Sequence, residues 1–256
     1  MTFAKEKHTW QSPRLKEDVT LVRWGHYGPP VLLFPTAGGD AEEVERFHMM
    51  SVIEDLLEQG QVKVYSVDSV AGRAMVQGEG SPQHRGRMQS AFQEFVYHEV
   101  VPAIRHDCGG EEREIITAGA SIGAFNALAH VVRYPDVFAT ALCMSGTFEL
   151  RRFIKDGDPG PEFWMSSPLT LLEKINDAHL EKLRSRFVLF ASGEGEAEDI
   201  GESWKAAKLL GDKGVPNRVD SWGPDWKHDW PLWRKMFPQY LRELLPKPES
   251  TEENAE

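Results

Sequence analysis

Long apolar runs are missing from this sequence. A membrane-spanning helix needs about 20 consecutive apolar residues, and no stretch approaches that length. The first residues, MTFAKEKHTWQSPRL, also lack the apolar core of a secretory signal. The sequence therefore predicts a protein that neither spans a membrane nor carries a classical signal, and we expect a cytoplasmic location.

Cysteine is scarce as well. The two cysteines, Cys108 and Cys143, match neither a CxxC motif nor a metal-ligand spacing. This excludes a disulfide framework and gives no indication of a zinc site, and it fits a reducing compartment. No Gly-Lys-Ser/Thr follows the glycine-rich stretches, so they are not phosphate-binding loops. We expect neither a metal nor a cofactor.

Basic residues are outnumbered by acidic ones. Lysine and arginine total 29 against 40 aspartates and glutamates, which gives a net charge of −11. Nucleic acids and anionic membranes are bound through basic patches. The composition therefore argues against both as partners, and it leaves open whether the chain forms a homo-oligomer.

Short apolar runs alternate with amphipathic ones along the chain, and this order predicts an α/β domain. A mostly parallel, doubly wound sheet with helices on both faces accounts for the alternation. The turn GHYGP further indicates that the first two strands are neighbours. The predicted strands are residues 19–24, 30–35, 62–68, 114–119, 139–146, 186–193 and 216–222, and the predicted helices are 88–104, 122–134, 202–211 and 230–244.

The chain length fits one domain, which we expect to span residues 1–246. Residues 147–181 interrupt the alternation, and we expect them to form a small cap insertion over the carboxyl edge of the sheet. The last residues, 247–256, are rich in charge and predict a disordered acidic tail.

The motif Gly119-Ala-Ser-Ile-Gly123 lies between a predicted strand and a predicted helix. This is the context of a nucleophile elbow, in which a serine occupies a strained turn and small residues on either side let strand and helix pack closely. Ser121 is therefore the candidate nucleophile. A serine hydroxyl needs a base, an orienting acid and an oxyanion hole to react.

The base should be a histidine near the end of the domain, because the chain order in this arrangement is serine, acid, histidine. His228 lies in GPDWKHDWPLW, between the last predicted strand and the last helix. His179 is the alternative, but it falls in the predicted cap. We expect His228 to be the base.

The acid should follow the strand that ends near Ser192. The stretch GEGEAED offers Glu194, Glu196, Glu198 and Asp199. Glu198 is the first choice because a residue further along the loop can swing back toward His228. Asp199, Glu196 and Glu194 stay open as alternatives.

The oxyanion hole should combine the amide that follows the serine with one from the loop after an earlier strand. These are Ile122 and the loop FPTAGGD, in which we expect Ala37 to donate, with Thr36 and Gly38 as alternatives. An apolar pocket beside them is expected from the aromatic residues of the cap. Its candidates are Phe148, Phe153, Phe163, Trp164 and Met165.

Three stretches, LLFPTAGGDAEEVERF, GASIGAFNALAHVVRYPDVF and WGPDWKHDWPLWRKMFPQYL, resemble the α/β-hydrolase superfamily, in particular the esterase branch with esterase D-like and antigen 85-like proteins. The resemblance runs from about Trp10 to Leu244. It departs from the wider superfamily at Ala120 of the elbow and at Phe34-Pro35, where relatives carry His-Gly.

This resemblance implies an α/β-hydrolase fold and a serine esterase that cleaves a small-molecule carboxylic ester through an acyl-enzyme. The triad would be Ser121, His228 and Glu198 or a neighbouring acid. Two alternatives remain: an acyltransferase that uses the same acyl-enzyme, and a non-catalytic binding protein on the same fold.

Overall fold

One mostly parallel sheet of eight strands runs through the described part of the protein. The computed structural model describes residues 3–154 and 157–246, so the tail predicted at 247–256 lies outside them. The strands lie in the order β1-β2-β4-β3-β5-β6-β7-β8. Their bounds are β1 Lys5–Gln11, β2 Asp18–Trp24, β3 Pro30–Phe34, β4 Lys63–Val67, β5 Ile115–Ala120, β6 Phe138–Met144, β7 Phe187–Ser192 and β8 Asn217–Ser221.

The sheet is parallel from β4 through β3 to β8, and antiparallel only where β2 joins β1 and β4. The predicted mostly parallel sheet is confirmed. The expectation that the first two predicted strands are neighbours is wrong, because β4 lies between β2 and β3. Every residue of β3 is buried, as suits a strand with parallel partners on both sides, whereas β2 carries an exposed residue and two half-buried ones.

Helices pack on both faces of the sheet. Alternate residues of β3 point to opposite faces, so Leu32 and Phe34 join one apolar core and Val31 and Leu33 join the other. Within the described ranges, none of the helices has the length and apolar character needed to cross a membrane. The helices are α1 Glu43–Arg46, α2 Glu54–Glu58, α3 Val70–Gln77, α4 Pro82–Phe95, α5 Val101–Asp107, α6 Ile122–Arg133, α7 Pro161–Ser166, α8 Pro168–Lys174, α9 Asp177–Arg184, α10 Ile200–Asp212 and α11 Trp230–Leu244.

Strand β1 was not predicted from the sequence. Its sequence, KEKHTWQ, is strongly charged, and six of its seven residues are exposed. An edge strand has one unpaired side, and charged side chains there hinder pairing with other chains. The strand therefore lacks the apolar run on which the prediction depended.

The segment predicted as a cap, residues 147–181, has helical structure where it is described. A 3-10 turn covers Leu150–Phe153, and α7 and α8 follow. Helix α7 packs against α4, and α8 packs against α6 and α10. Leu172 of α8 is part of the main core, whereas Leu150 and Phe163 form a smaller cluster with Ile122. The segment thus connects the helical layer to the start of α6.

The turn between β5 and α6 brings two backbone segments unusually close together. Ser121 has φ 57° and ψ −121°, a backbone conformation that residues with a side chain rarely adopt. A Cβ at Gly119 would lie 2.2 Å from the carbonyl carbon of Gly123, and one at Gly123 would lie 2.6 Å from Phe34 O. Only glycine fits at both positions, so β5 fixes where α6 starts and where Ser121 stands.

We expect Gly119→Ala to destabilise the protein by about 1–3 kcal/mol, because the new methyl group meets backbone atoms that cannot move aside. Gly211 provides the control. It lies in α10, where an added Cβ has its nearest neighbour at 3.9 Å, so Gly211→Ala should stabilise by about 0.5–1 kcal/mol. Urea unfolding of both variants measures this, and equal stabilities would contradict the tight approach.

Candidate active site

Ser121 lies at the carboxyl edge of the sheet, between β5 and α6. Its amide donates to Met144 O at 3.0 Å, and its carbonyl oxygen accepts from Thr147 N at 3.2 Å. Both partners belong to residues 144–147, the segment by which the chain leaves β6. This segment therefore runs directly beside Ser121.

Glu198 is a buried carboxylate in the loop between β7 and α10, with 1% of its side chain exposed. Its Oε1 accepts from Ser145 Oγ at 2.5 Å, and its Oε2 accepts from Ser192 Oγ at 3.1 Å. His228 Nδ1 lies 3.5 Å from Oε2. A carboxylate can stay charged away from water only when such groups replace the lost hydration.

The other three carboxylates of this loop have different partners. Glu196 forms an ion pair with a lysine at the surface. Asp199 accepts from a backbone amide of α10 and so caps the start of that helix. Glu194 accepts from a serine hydroxyl of β8. Of the acids proposed from the sequence, all of them described, Glu198 alone has its carboxylate against the His228 ring.

His228 lies between β8 and α11, as expected, with 22% of its side chain exposed. Its amide donates to Glu196 O at 3.0 Å, and its ring meets that of Trp233 edge-on at 5.2 Å. In the described ranges no hydrogen bond joins the His228 ring to the Ser121 hydroxyl. The alternative base, His179, donates from Nε2 to Val132 O at 2.7 Å, near the far end of α6.

Ser145 and Trp233 were not predicted as site residues. Trp233 Nε1 donates to Ser145 Oγ at 2.9 Å, and Ser145 Oγ donates in turn to Glu198. Ser145 is buried and has φ 46°, which is uncommon for a residue with a side chain. A serine that directly follows a buried strand at this edge was the available sequence signal, but nothing in the sequence indicated the tryptophan as its partner.

Residues 144–147 connect the two halves of the site. Met144 and Thr147 bond to the backbone of Ser121, and Ser145, between them, bonds to Glu198. The elbow and the acid are therefore held by the same four residues, and His228 joins them through Glu198.

The surroundings of Glu198 act on its pKa in opposite directions. Burial raises the pKa, while the hydrogen bonds from His228, Ser145 and Ser192 and the charge of His228 lower it. The net effect is a pKa below the ordinary value for glutamate. The site therefore favours the ionised carboxylate, the form that can balance a positive charge on the histidine.

The loop after β3 leaves two consecutive amides, those of Ala37 and Gly38, without a protein partner. Thr36 N–H donates to Glu43 Oε2 at 2.7 Å, so it is already occupied. Among the described residues, Ala37 N–H and Gly38 N–H have no acceptor. Ile122 is the first residue of α6, where an amide has no acceptor within the helix. Ala37 and Ile122 also pack in the same apolar cluster.

The five aromatic and apolar residues expected to line a pocket do not stay together. Phe153, Phe163 and Trp164 pack in the cluster that contains Ile122 and Ala37. Phe148 instead belongs to the main core, where its ring meets that of Phe190, and Met165 is 47% exposed. The expectation is wrong for these two. Phe148 follows β6 closely and packs in the main core, and Met165 lies on the exposed side of α7.

No group of three or more histidine, cysteine, aspartate or glutamate side chains in the described ranges is arranged to hold a metal ion. Cys143, one of the two cysteines, is buried, and burial raises the pKa of its thiol well above its ordinary value. The chemistry available at this edge is that of a serine, a histidine, a carboxylate and free backbone amides.

Comparison with protein families gives one match over most of the chain. Residues 41–244 match the family model described as "Putative esterase". No curated protein matches the sequence.

Several solved structures share this fold. A ferulic acid esterase superposes with a TM-score of 0.72 at 17% identity, over 95% of this chain and 97% of that chain. FphF, a fluorophosphonate-binding serine hydrolase of Staphylococcus aureus, gives 0.71 at 15% identity, over 96% and 99%. MPT51 (FbpC1) of Mycobacterium tuberculosis gives 0.69 at 15% identity, over 94% and 97%. The α/β-hydrolase fold expected from the sequence is confirmed.

The lowered pKa of Glu198 predicts a pH-dependent contribution to stability. An acid with a depressed pKa in the folded state stabilises the protein above its unfolded pKa, and this contribution is lost as the pH falls through the folded value. We therefore expect the free energy of unfolding of the wild type to exceed that of Glu198→Gln by more at about pH 5 than at about pH 3.

Denaturant titrations at the two pH values measure this difference. Ser145→Ala removes one hydrogen bond from the ionised carboxylate, so its loss of stability should begin at a higher pH than in the wild type. A gap between the wild type and Glu198→Gln that stays constant across this range would contradict the assignment.

Proposed function

The chain belongs to the esterase family, and from that premise we propose that it is a serine hydrolase that cleaves small-molecule carboxylic esters through an acyl-enzyme. The proposal depends mainly on one observation: hydrogen bonds made by residues 144–147 connect Ser121 to the Glu198–His228 pair. A strained serine and a histidine paired with a buried carboxylate are the parts that acyl transfer requires.

In the first half of the reaction, His228 takes the proton of the Ser121 hydroxyl while the oxygen attacks the ester carbonyl. The carbonyl oxygen becomes an oxyanion, and the Ile122 and Ala37 amides donate to it. When the tetrahedral intermediate collapses, the bond to the alcohol breaks and His228 gives its proton to the leaving oxygen. Ser121 then carries the acyl group.

The Ser121 hydroxyl and the His228 ring must meet for this step. Hydrogen bonds between catalytic groups are often long or misaligned without substrate and tighten when it binds. We propose that the Ser121–His228 bond forms in the complex with substrate.

In the second half, water takes the place of the alcohol. His228 removes a proton from the water as it attacks the acyl carbonyl, the same two amides hold the second oxyanion, and Ser121 leaves with the proton that His228 returns. Each proton moves between named groups, so the proposed cycle needs no metal or cofactor. Nucleic acids and membranes have no role in it, and a cytoplasmic location remains a prediction of the sequence.

Glu198 has a positioning and electrostatic role in this scheme. It holds the histidine ring by Nδ1, so that Nε2 is the nitrogen that exchanges protons, and its charge stabilises the imidazolium that forms twice in each cycle. The hydrogen bonds from Ser145 and Ser192 keep the carboxylate ionised and in place.

We expect Ser121→Ala to lower the kcat for a p-nitrophenyl ester by about 10⁴ to 10⁶, because the nucleophile is removed. A fluorophosphonate probe should label the wild type and not this variant. Ser185→Ala is the control, since Ser185 is an exposed serine at the end of α9 and should not affect either readout. Products formed with an added alcohol show whether water or an alcohol is the acceptor. Wild-type turnover by a folded Ser121→Ala protein would refute the proposal.

We expect Glu198→Gln to lower kcat by about 10² to 10⁴, because a neutral amide cannot balance the charge that develops on His228. Asp199→Asn is the matched control: the neighbouring residue caps α10, and asparagine caps a helix about as well as aspartate. Steady-state kinetics on both variants, each checked for folding, measures the difference. If Asp199→Asn lost activity and Glu198→Gln kept it, the acid would be misassigned.

A further inference from the structure

Glu43 is a second buried carboxylate at this edge of the sheet, and the triad does not use it. It is the first residue of α1, and 8% of the residue is exposed. Its two oxygens bind one residue of the proposed oxyanion loop: Oε2 accepts from Thr36 N at 2.7 Å, and Oε1 accepts from Thr36 Oγ1 at 2.8 Å.

The loop packs tightly over this carboxylate. A Cβ at Gly39 would lie 2.4 Å from the carboxyl carbon of Glu43, so no other residue fits there unless the glutamate moves. Thr36 and Gly39 lie on either side of Ala37 and Gly38 in the chain, and both are held against Glu43. The carboxylate therefore determines the path of the two residues between them.

Two further backbone groups near the end of the loop are also anchored. Gly39 O accepts from Ser69 N at 2.9 Å, and Ala41 N donates to Asp68 Oδ1 at 2.9 Å. On the other side, a Cβ at Gly72 would lie 2.5 Å from Ala37 O, so this glycine leaves room for the carbonyl. With Thr36 N–H bound to Glu43, Ala37 N–H is the first amide of the loop that is free to bind a ligand.

If Glu43 only stabilised helix α1, its carboxylate would not need to be buried against the loop. Helix α1 has only four residues, and an exposed acid at its start would interact with the helix terminus equally well. Burying a carboxylate is unfavourable unless hydrogen bonds replace the lost water, and both hydrogen bonds of the Glu43 carboxylate go to Thr36 of the loop. Its neighbour Glu42 instead pairs with Lys5 and Lys7 of β1.

We infer that Glu43 is a positioning residue for the oxyanion hole: it fixes Thr36 and Gly39 so that Ala37 N–H stands ready for the developing oxyanion. This inference rests on the proposed function, because it assigns a role in the same reaction. Glu43 does not itself touch the reacting atoms. It acts by positioning one backbone amide, so it stabilises the transition state and does not contribute to substrate binding.

Glu43→Gln tests this in the full-length protein. Glutamine keeps the shape but removes the charge and has one acceptor oxygen, so it cannot accept from both Thr36 groups; its NH₂ group contacts the Thr36 hydroxyl only if the hydroxyl turns round to accept. Loss of a whole oxyanion donor lowers kcat by about 10² to 10³, and we expect its displacement here to lower kcat by about 10 to 10² with KM within about 2-fold. The affinity for an alkyl boronic acid, which binds Ser121 as a tetrahedral anion, should fall by a similar factor.

Two further variants make the result specific. Glu42→Gln makes the same change one residue earlier, removes the charge that pairs with Lys5 and Lys7, and should leave kcat and boronic acid affinity unchanged. Thr36→Val removes the hydroxyl but keeps the amide, so it should lower kcat by a smaller factor than Glu43→Gln, again with KM nearly constant. It also serves as the test if Glu43→Gln does not fold.

The outcomes separate this inference from the proposed function. If the wild type shows no turnover that depends on Ser121, the proposed function fails. If the wild type hydrolyses esters through Ser121 but Glu43→Gln and Thr36→Val keep their kcat within about 2-fold, or lose activity through KM alone, the inference about Glu43 is overturned and the proposed function stands.

Discussion

The edge of the sheet that holds the proposed active site depends on keeping a carboxylate charged away from water. Glu198 is almost fully buried, and burial alone would favour its neutral form. Three groups from three different parts of the chain reverse this: Ser145 after β6, Ser192 at the end of β7 and His228 before α11. Because all three must be in place together, satisfying this one group fixes the relative positions of the segments that hold the proposed triad.

A second buried carboxylate lies on the other side of Ser121, where burial outweighs the hydrogen bonds and raises the pKa of Glu43 above its ordinary value. Glu43 is buried under the loop after β3 and is satisfied by Thr36 of that loop. One carboxylate thus contacts the proposed acid–base side of the site, and the other contacts the proposed oxyanion side. Between them, the glycines that flank Ser121 bring β5, α6 and β3 so close together that the serine can occupy only one position.

The sequence predicted the features that follow from chain order and missed those that depend on side-chain contacts across the fold. Ser121 and His228 could be located because a nucleophile elbow and a histidine after the last strand are marked by local residue types. The sequence favoured Glu198 over Asp199 only by the distance that each side chain could span toward His228. The structure gives the two residues different partners. Trp233 and Glu43 left no local signal, since their partners are distant or depend on the path of a loop. The order of β2, β4 and β3 was missed for the same reason: pairing is set by burial across the sheet and not by the length of one turn.

In the proposed reaction an acyl group passes through Ser121. The most direct test is to mix the wild-type protein with a p-nitrophenyl ester, stop the reaction with acid during the first turnovers, and analyse the digested peptides by mass spectrometry. We expect one peptide with the added mass of the acyl group, and we expect fragmentation to place that mass on Ser121. An adduct on another residue, or continued turnover without an adduct on Ser121, would contradict it.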